Sequence, residues 1–181
     1  MSYHALKFSK LQKGHTFHKP DHLSHNSVKL VDPAISVMTD LKEVQAITAT
    51  ESLKIDDALK VMIEKGVRML FVVDLRNDII GLITTNDISG EKPVQLSSQT
   101  GVLRSEIQVK DIMIPVDKID IVEIKDVSSA RVGDIVETLK SVNRRHVIVV
   151  DNQGTNNAKT IRGIFSMTKI EKQLGLVPAI A

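Results

Sequence analysis

The chain of 181 residues has no cysteine, no tryptophan, one tyrosine and four phenylalanines. Without cysteine there is no disulfide, no thiolate metal site and no cysteine nucleophile. With aromatics at 3%, there is no stacking platform for single-stranded nucleic acid. No apolar run is long enough to span a bilayer, and the opening "MSYHALKFSKLQKGHTFHKP" lacks the apolar core of a signal peptide. A cytoplasmic location without membrane association is therefore expected. Also missing are a P-loop, G-x-S-x-G and H-E-x-x-H, and no pair of carboxylates stands poised for acid–base work, so the chain reads as a non-enzyme.

What is present is the composition of a soluble globular protein, 42% apolar and 25% charged. The net charge of +2 is unevenly spread: residues 1–30 hold five lysines against one acid, and five of the six histidines. The rest of the chain is close to neutral. Residues 1–30 show no periodicity and read as a flexible arm. Within it "HKPDHLSH" offers His18, Asp21, His22 and His25, residue types that suit zinc or nickel. Their spacing matches no closed site and Pro20 opposes a shared helical face, so no metal is expected. The arm lysines allow salt-sensitive contact with nucleic acid or anionic lipid, but a solvated tail is the preferred reading, and nucleic acid is not an expected partner.

The strongest signal is an internal repeat. "ITATESLKIDDALKVMIEKGVRMLFVVD" (47–74) lies on "IKDVSSARVGDIVETLKSVNRRHVIVVD" (124–151) at a constant offset of 77, and "GLITTNDI" (81–88) returns as "GIFSMTKI" (163–170) at an offset of 82. The five extra residues lie in "DNQGTNNAKTIRG", an Asn-rich hairpin loop. Upstream, "SVM" at 36–38 sits opposite "DIM" at 111–113. Each copy is expected to hold a short strand ending near Ala49 or Asp126, then a helix capped by Ser52 or Ser129. The helices carry apolar stripes, Ile55, Leu59, Met62 and Ile63 in one copy and Val132, Ile135, Val136 and Leu139 in the other. Gly66 and Asn143 follow as left-handed C-terminal residues. Two continuous apolar strands come next, and helices start at Thr85 and Met167.

This predicts an α/β (α+β) fold: two tandem β-α-β-β-α repeats related by a pseudo-twofold, their sheets packed together so that neither small unit buries its core alone. The repeats are expected over 31–90 and 109–176, joined by a polar linker at 91–108, between the arm at 1–30 and a tail at 177–181.

Over roughly residues 34–175 the chain resembles a cystathionine-β-synthase-type (CBS) domain pair, or Bateman module. The resemblance rests on the duplicated β-α-β-β-α order, "VRMLFVVD" and "RRHVIVVD", and "GLITTND", which fits the family pattern G-h-x-[ST]-x-x-D. It implies a regulatory module that binds AMP, ADP, ATP or S-adenosylmethionine in clefts between the repeats, with no cofactor required. It further implies that Asp87 accepts ribose hydroxyls, that Thr84 lies near ribose or phosphate, and that Arg68, Arg145 and His146 fall where phosphate is held. The residues agree chemically: a carboxylate can accept both hydroxyls of a cis-diol, and arginine suits phosphate. The competing reading is that Thr84 and Asp87 only cap the following helix and that the arginines are exposed.

Lys169 stands where the second copy should repeat Asp87, and an ammonium cannot accept a hydroxyl. Two unequal clefts are therefore expected. The competent one combines Thr84 and Asp87 with Arg145 and His146, walled by Ile47 to Thr50. The degenerate one holds Arg68, Ser166 and Lys169. The expected function is a sensor that signals occupancy to an unidentified protein in trans, assembled as a homodimer. A ligand-free dimerisation scaffold is the alternative.

Overall fold

A computed structural model describes residues 27–151 and 159–176; the histidines proposed as weak ligands and the extra hairpin residues 152–158 lie outside them. A short 3-10 turn, Ala34–Val37, leads into strand β1 (Thr39–Asp40). Then come β2 (Thr48–Thr50), helix α1 (Ile55–Lys65), β3 (Met69–Val73), β4 (Ile79–Thr84), α2 (Thr85–Ser89) and α3 (Lys92–Thr100). The second copy runs α4 (Val109–Ile112), β5 (Ile114–Pro115), β6 (Ile121–Glu123), α5 (Ile124–Val127) and α6 (Val132–Ser141). It ends with β7 (His146–Asp151), β8 (Thr160–Ser166) and α7 (Met167–Gln173).

These strands form two four-stranded sheets, β2-β3-β4-β5 and β1-β8-β7-β6. The repeats exchange their first strands. β1 precedes the first repeat but pairs with β8 of the second, Thr39 opposite Ile164, while β5 pairs with β4, Ile114 opposite Leu82. This exchange explains the repeated glycine of the motif. A Cβ on Gly81 would lie 2.6 Å from the Ile114 carbonyl oxygen, and one on Gly163 would lie 2.7 Å from Met38 Sδ and 2.8 Å from the Thr39 oxygen. Only glycine lets the crossing strand approach so closely.

The β3 run is apolar throughout because both its faces are covered. Met69 and Phe71 point to the second sheet and pack with Leu82, Ile148 and Val150. Leu70 and Val72 point the other way, into a layer with Ile55, Met62 and Ile88 beneath the helices. The second copy mirrors this, with Val147, Val149 and Phe165 under Val132, Leu139 and Ile170. Gly66 and Asn143 take the left-handed backbone expected of them, at φ 64° and 50°.

Four local expectations are corrected. Neither serine caps its helix: the N-cap positions are Lys54 and Arg131, without a side-chain cap bond from Ser52 or Ser129. The α1 stripe runs Ile55, Ala58, Met62, while Ile63 is 72% exposed. In the second copy the strand stops at Glu123, and residues 124–127 wind into the short helix α5. The polar segment 91–108 carries α3, with Pro93 in its first turn and Gly101 at its left-handed end (φ 75°). Among the described residues no helix is long and apolar enough to cross a membrane.

Candidate functional site

β4 ends at Thr84 and the chain turns directly into α2. Thr84 is the N-cap: its Oγ1 accepts from the Asp87 backbone N–H at 3.3 Å, while Asp87 Oδ2 accepts from the Thr84 N–H at 2.9 Å and from its hydroxyl at 2.6 Å. This reciprocal cap satisfies two helix-end donors and fixes the carboxylate. Asp87 is buried, 7% exposed. Its Oδ1 meets Lys92 Nζ at 2.6 Å, and the same ammonium donates to the Ile112 carbonyl at 2.9 Å.

This carboxylate lines a cavity of about 160 Å³ between the repeats. That is roughly ten times what one ordered water occupies, so the space suits a small ligand. The first repeat contributes Arg68, Thr84 and Asp87; the second contributes Arg144, Arg145, His146 and Thr168; Lys118 and Asp120 close it from the segment after β5. Arg68 and Arg145 immediately precede the equivalent strands β3 and β7, so the pseudo-symmetry brings both to one place. Four cationic side chains line the cavity against two carboxylates, Asp87 and Asp120. Such a surface favours an anion.

The cations differ in how they are held. Arg145 donates to Glu171 at 2.7 Å and to the Thr168 hydroxyl at 3.0 Å, and Arg144 pairs with Asp120 at 3.5 Å. Among the described residues neither Arg68 nor Lys118 has a carboxylate partner. His146 is pushed down to about 4, chiefly by burial and then by Arg145 and Arg68, against an opposing pull from Asp87. At neutral pH it is therefore an uncharged imidazole, one donor and one acceptor.

Of the residues singled out in the sequence, the structure gathers Thr84, Asp87, Arg145 and His146 in this cavity, and Arg68 with them rather than in a separate cleft. It does not bring Ile47 or Thr50 there. The Ile47 side chain packs into the helix-side core layer, and Thr50 pairs with Val73 at the far end of β3 from Arg68. Ser166 precedes α7 without a side-chain cap bond and Lys169 lies on its first turn; neither lines the cavity, whereas their neighbour Thr168 does. Lys169 Nζ instead donates to the Met38 carbonyl and to Thr39 Oγ1, both at 3.2 Å, and burial lowers its pKa.

Lys92 and Glu171 escaped sequence reasoning, although one signal was available. At the repeat's offset of 82 the pair Asp87 and Lys92 becomes Lys169 and Leu174, so the charge changes at two positions, not one. Among the described residues no cluster of metal-ligating side chains occurs.

Residues 34–92 match the family model of the CBS domain. An uncharacterized protein of Methanopyrus kandleri is 32% identical over 62 residues, covering 34% of this chain and 32% of the relative. The match thus spans about a third of that curated relative's length. Among solved structures, an uncharacterized conserved protein of Pyrococcus horikoshii superposes with a TM-score of 0.56 at 17% identity, over 85% of this chain and 100% of the other. A CBS-domain-containing protein of Agrobacterium tumefaciens gives 0.53 at 16% identity, over 76% and 93%. At these identities the structural likeness is one of fold.

Proposed function

We propose that this chain, which its first repeat and its fold identify as a CBS-domain pair, is a regulatory module that binds an adenosine-containing phosphate ester in the cavity between its repeats. The observation that carries this is the convergence on one cavity of a fixed carboxylate and the two repeat-related arginines, Arg68 and Arg145. A carboxylate accepts hydroxyls and arginine forks hold phosphate, so the pair selects a sugar phosphate. Ribose lies at Thr84 and Asp87, and phosphate between Arg68, Lys118 and Arg145. Because both arginines serve one cavity, the expected stoichiometry is one ligand per chain.

A ligand touching both repeats favours one arrangement of them, and the coupling equals its differential affinity for the two. Occupancy is passed to a protein partner in trans, and the working unit is a homodimer. The module itself performs no catalysis.

The test is thermal unfolding with AMP, ADP, ATP and S-adenosylmethionine, followed by calorimetry. A ligand at a hundred times its dissociation constant adds about 2.7 kcal/mol. Silence of all four at millimolar concentration overturns the reading. One set of observations favours a ligand-free scaffold instead: Asp87 is occupied by Thr84 and Lys92, and Arg145 by Glu171. Under that reading Asp87→Ala weakens the fold and nothing else.

A further inference from the structure

Asp87 has fewer free acceptor positions than a diol needs. A carboxylate offers about four lone-pair sites. The backbone N–H and hydroxyl of Thr84 take two on Oδ2, and the Lys92 ammonium takes one on Oδ1. One remains. A single hydroxyl can therefore join the site as it stands, but the second hydroxyl of a cis-diol finds a place only if Lys92 leaves.

The two partners of this pair are not equally free to move. Asp87 is locked by the cap and its side chain is 9% exposed, whereas the Lys92 side chain is 44% exposed at the first residue of α3. Lys92 has a second attachment, the Ile112 carbonyl at the end of α4, two residues before the exchanged strand β5. In the second repeat the corresponding edge is held directly by Lys169, on the carbonyl of Met38, the residue immediately before β1. Among the described residues no carboxylate pairs with that ammonium.

We propose that Lys92 is a specificity-determining latch: while it is closed Asp87 takes one hydroxyl donor, and its release lets Asp87 take both hydroxyls of a ribose. Release also frees α3 from the Ile112 carbonyl, so diol binding and the position of α3 are linked. This rests on the proposed role of the cavity as a nucleotide site.

The experiment is calorimetric titration of AMP and 2′-deoxy-AMP into wild type, Lys92→Met and Lys92→Arg. With the latch removed, Lys92→Met binds AMP about tenfold tighter, while 2′-deoxy-AMP, with one hydroxyl, changes less than about threefold. Lys92→Arg, whose fork grips a carboxylate at two points, binds AMP more weakly than wild type. If wild type binds AMP but Lys92→Met alters both ligands equally or not at all, the latch is wrong and the nucleotide site stands. If none of the three binds either ligand, the site and the latch fall together. Should Lys92→Met melt below the titration temperature, Lys92→Arg decides alone, and an unchanged AMP affinity overturns the latch.

Discussion

Where the last strand of each repeat turns into its last helix, one copy holds a carboxylate and the other an ammonium. Asp87 is capped by Thr84 and paired with Lys92, and Lys92 grips the Ile112 carbonyl. Lys169 grips the Met38 carbonyl and, among the described residues, has no carboxylate partner. What the copies share is a cation holding the backbone just ahead of an exchanged strand. What they do not share is the carboxylate. The tether is a structural need of both halves, because each sheet borrows its edge strand from the other repeat. The first repeat meets that need with a residue from α3 and so keeps an acceptor at the cavity. The second uses the motif position itself, and the acceptor is lost.

The sharpest way to break this comparison is Asp87→Ala against Lys169→Ala. The first removes a helix cap and leaves two half-buried Thr84 donors and the half-exposed Lys92 ammonium without their acceptor, for a loss of about 3 kcal/mol. Chemical denaturation should show that loss in Asp87→Ala and a much smaller one in Lys169→Ala. Equal losses would mean that the two positions are only caps and that their difference in charge is incidental.

The next largest effect concerns His146, whose counterpart in the first copy is Met69. Its folded-state pKa of about 4 lies below the ordinary value of 6.5. Between these values the unfolded chain binds a proton that the folded chain refuses. Stability is therefore full above pH 6.5 and falls as the pH drops toward 4, by about 2 kcal/mol for this group between pH 7 and pH 4.5. His146→Met, which copies the first repeat, should remove that part of the acid sensitivity. Paired denaturation curves at pH 7 and pH 4.5 measure it. An unchanged slope would place His146 in a more hydrated setting than the structure does.

The repeat made most of the architecture legible, because two copies of one hydrophobic pattern fix the β-α-β-β-α order along each copy, the covered faces of β3 and β7, and the left-handed turns at Gly66 and Asn143. What it hid has physical reasons. The exchange of β1 and β5 leaves no local mark, since a two-residue strand has no periodicity and its partner is far away in sequence. Helix α3 was concealed by its polar composition, with Pro93 as its one buried residue. Thr84, Asp87, Arg145 and His146 were readable as a group because the family resemblance sets the motif of one repeat opposite the strand start of the other, although His146 has no polar counterpart in the first copy. Lys92 was not, because a lysine in a polar segment looks solvated until the fold sets it against Asp87.

Of intermediate size is the pair Gly81→Ala and Gly163→Ala. Each added methyl forces the borrowed strand outward, at about 1–3 kcal/mol. At Gly81 the nearest atom is a backbone oxygen at 2.6 Å, while at Gly163 the backbone oxygen of Thr39 lies at 2.8 Å and the nearer contact, Met38 Sδ at 2.7 Å, belongs to a side chain that can rotate away. Gly81→Ala should therefore cost more, as thermal unfolding of both variants would show. The reverse order would mean that β5 yields more readily than β1.

The smallest effect sharpens the comparison most finely. Lys169→Met keeps much of the aliphatic stem and deletes the ammonium. Two opposing consequences follow. The Met38 carbonyl and the Thr39 hydroxyl lose a donor, which costs about 1 kcal/mol. Burial already disfavours the charged form, however, as the lowered pKa of Lys169 records, so deleting the charge removes a desolvation penalty. The net loss should be under about 1 kcal/mol. Lys92→Met lacks that offset, because its ammonium leaves a buried carboxylate behind, and it should lose more. If Lys169→Met proved the costlier of the two, the second repeat would depend on its tether more than the first, and the carboxylate at Asp87 would no longer explain why the copies diverged.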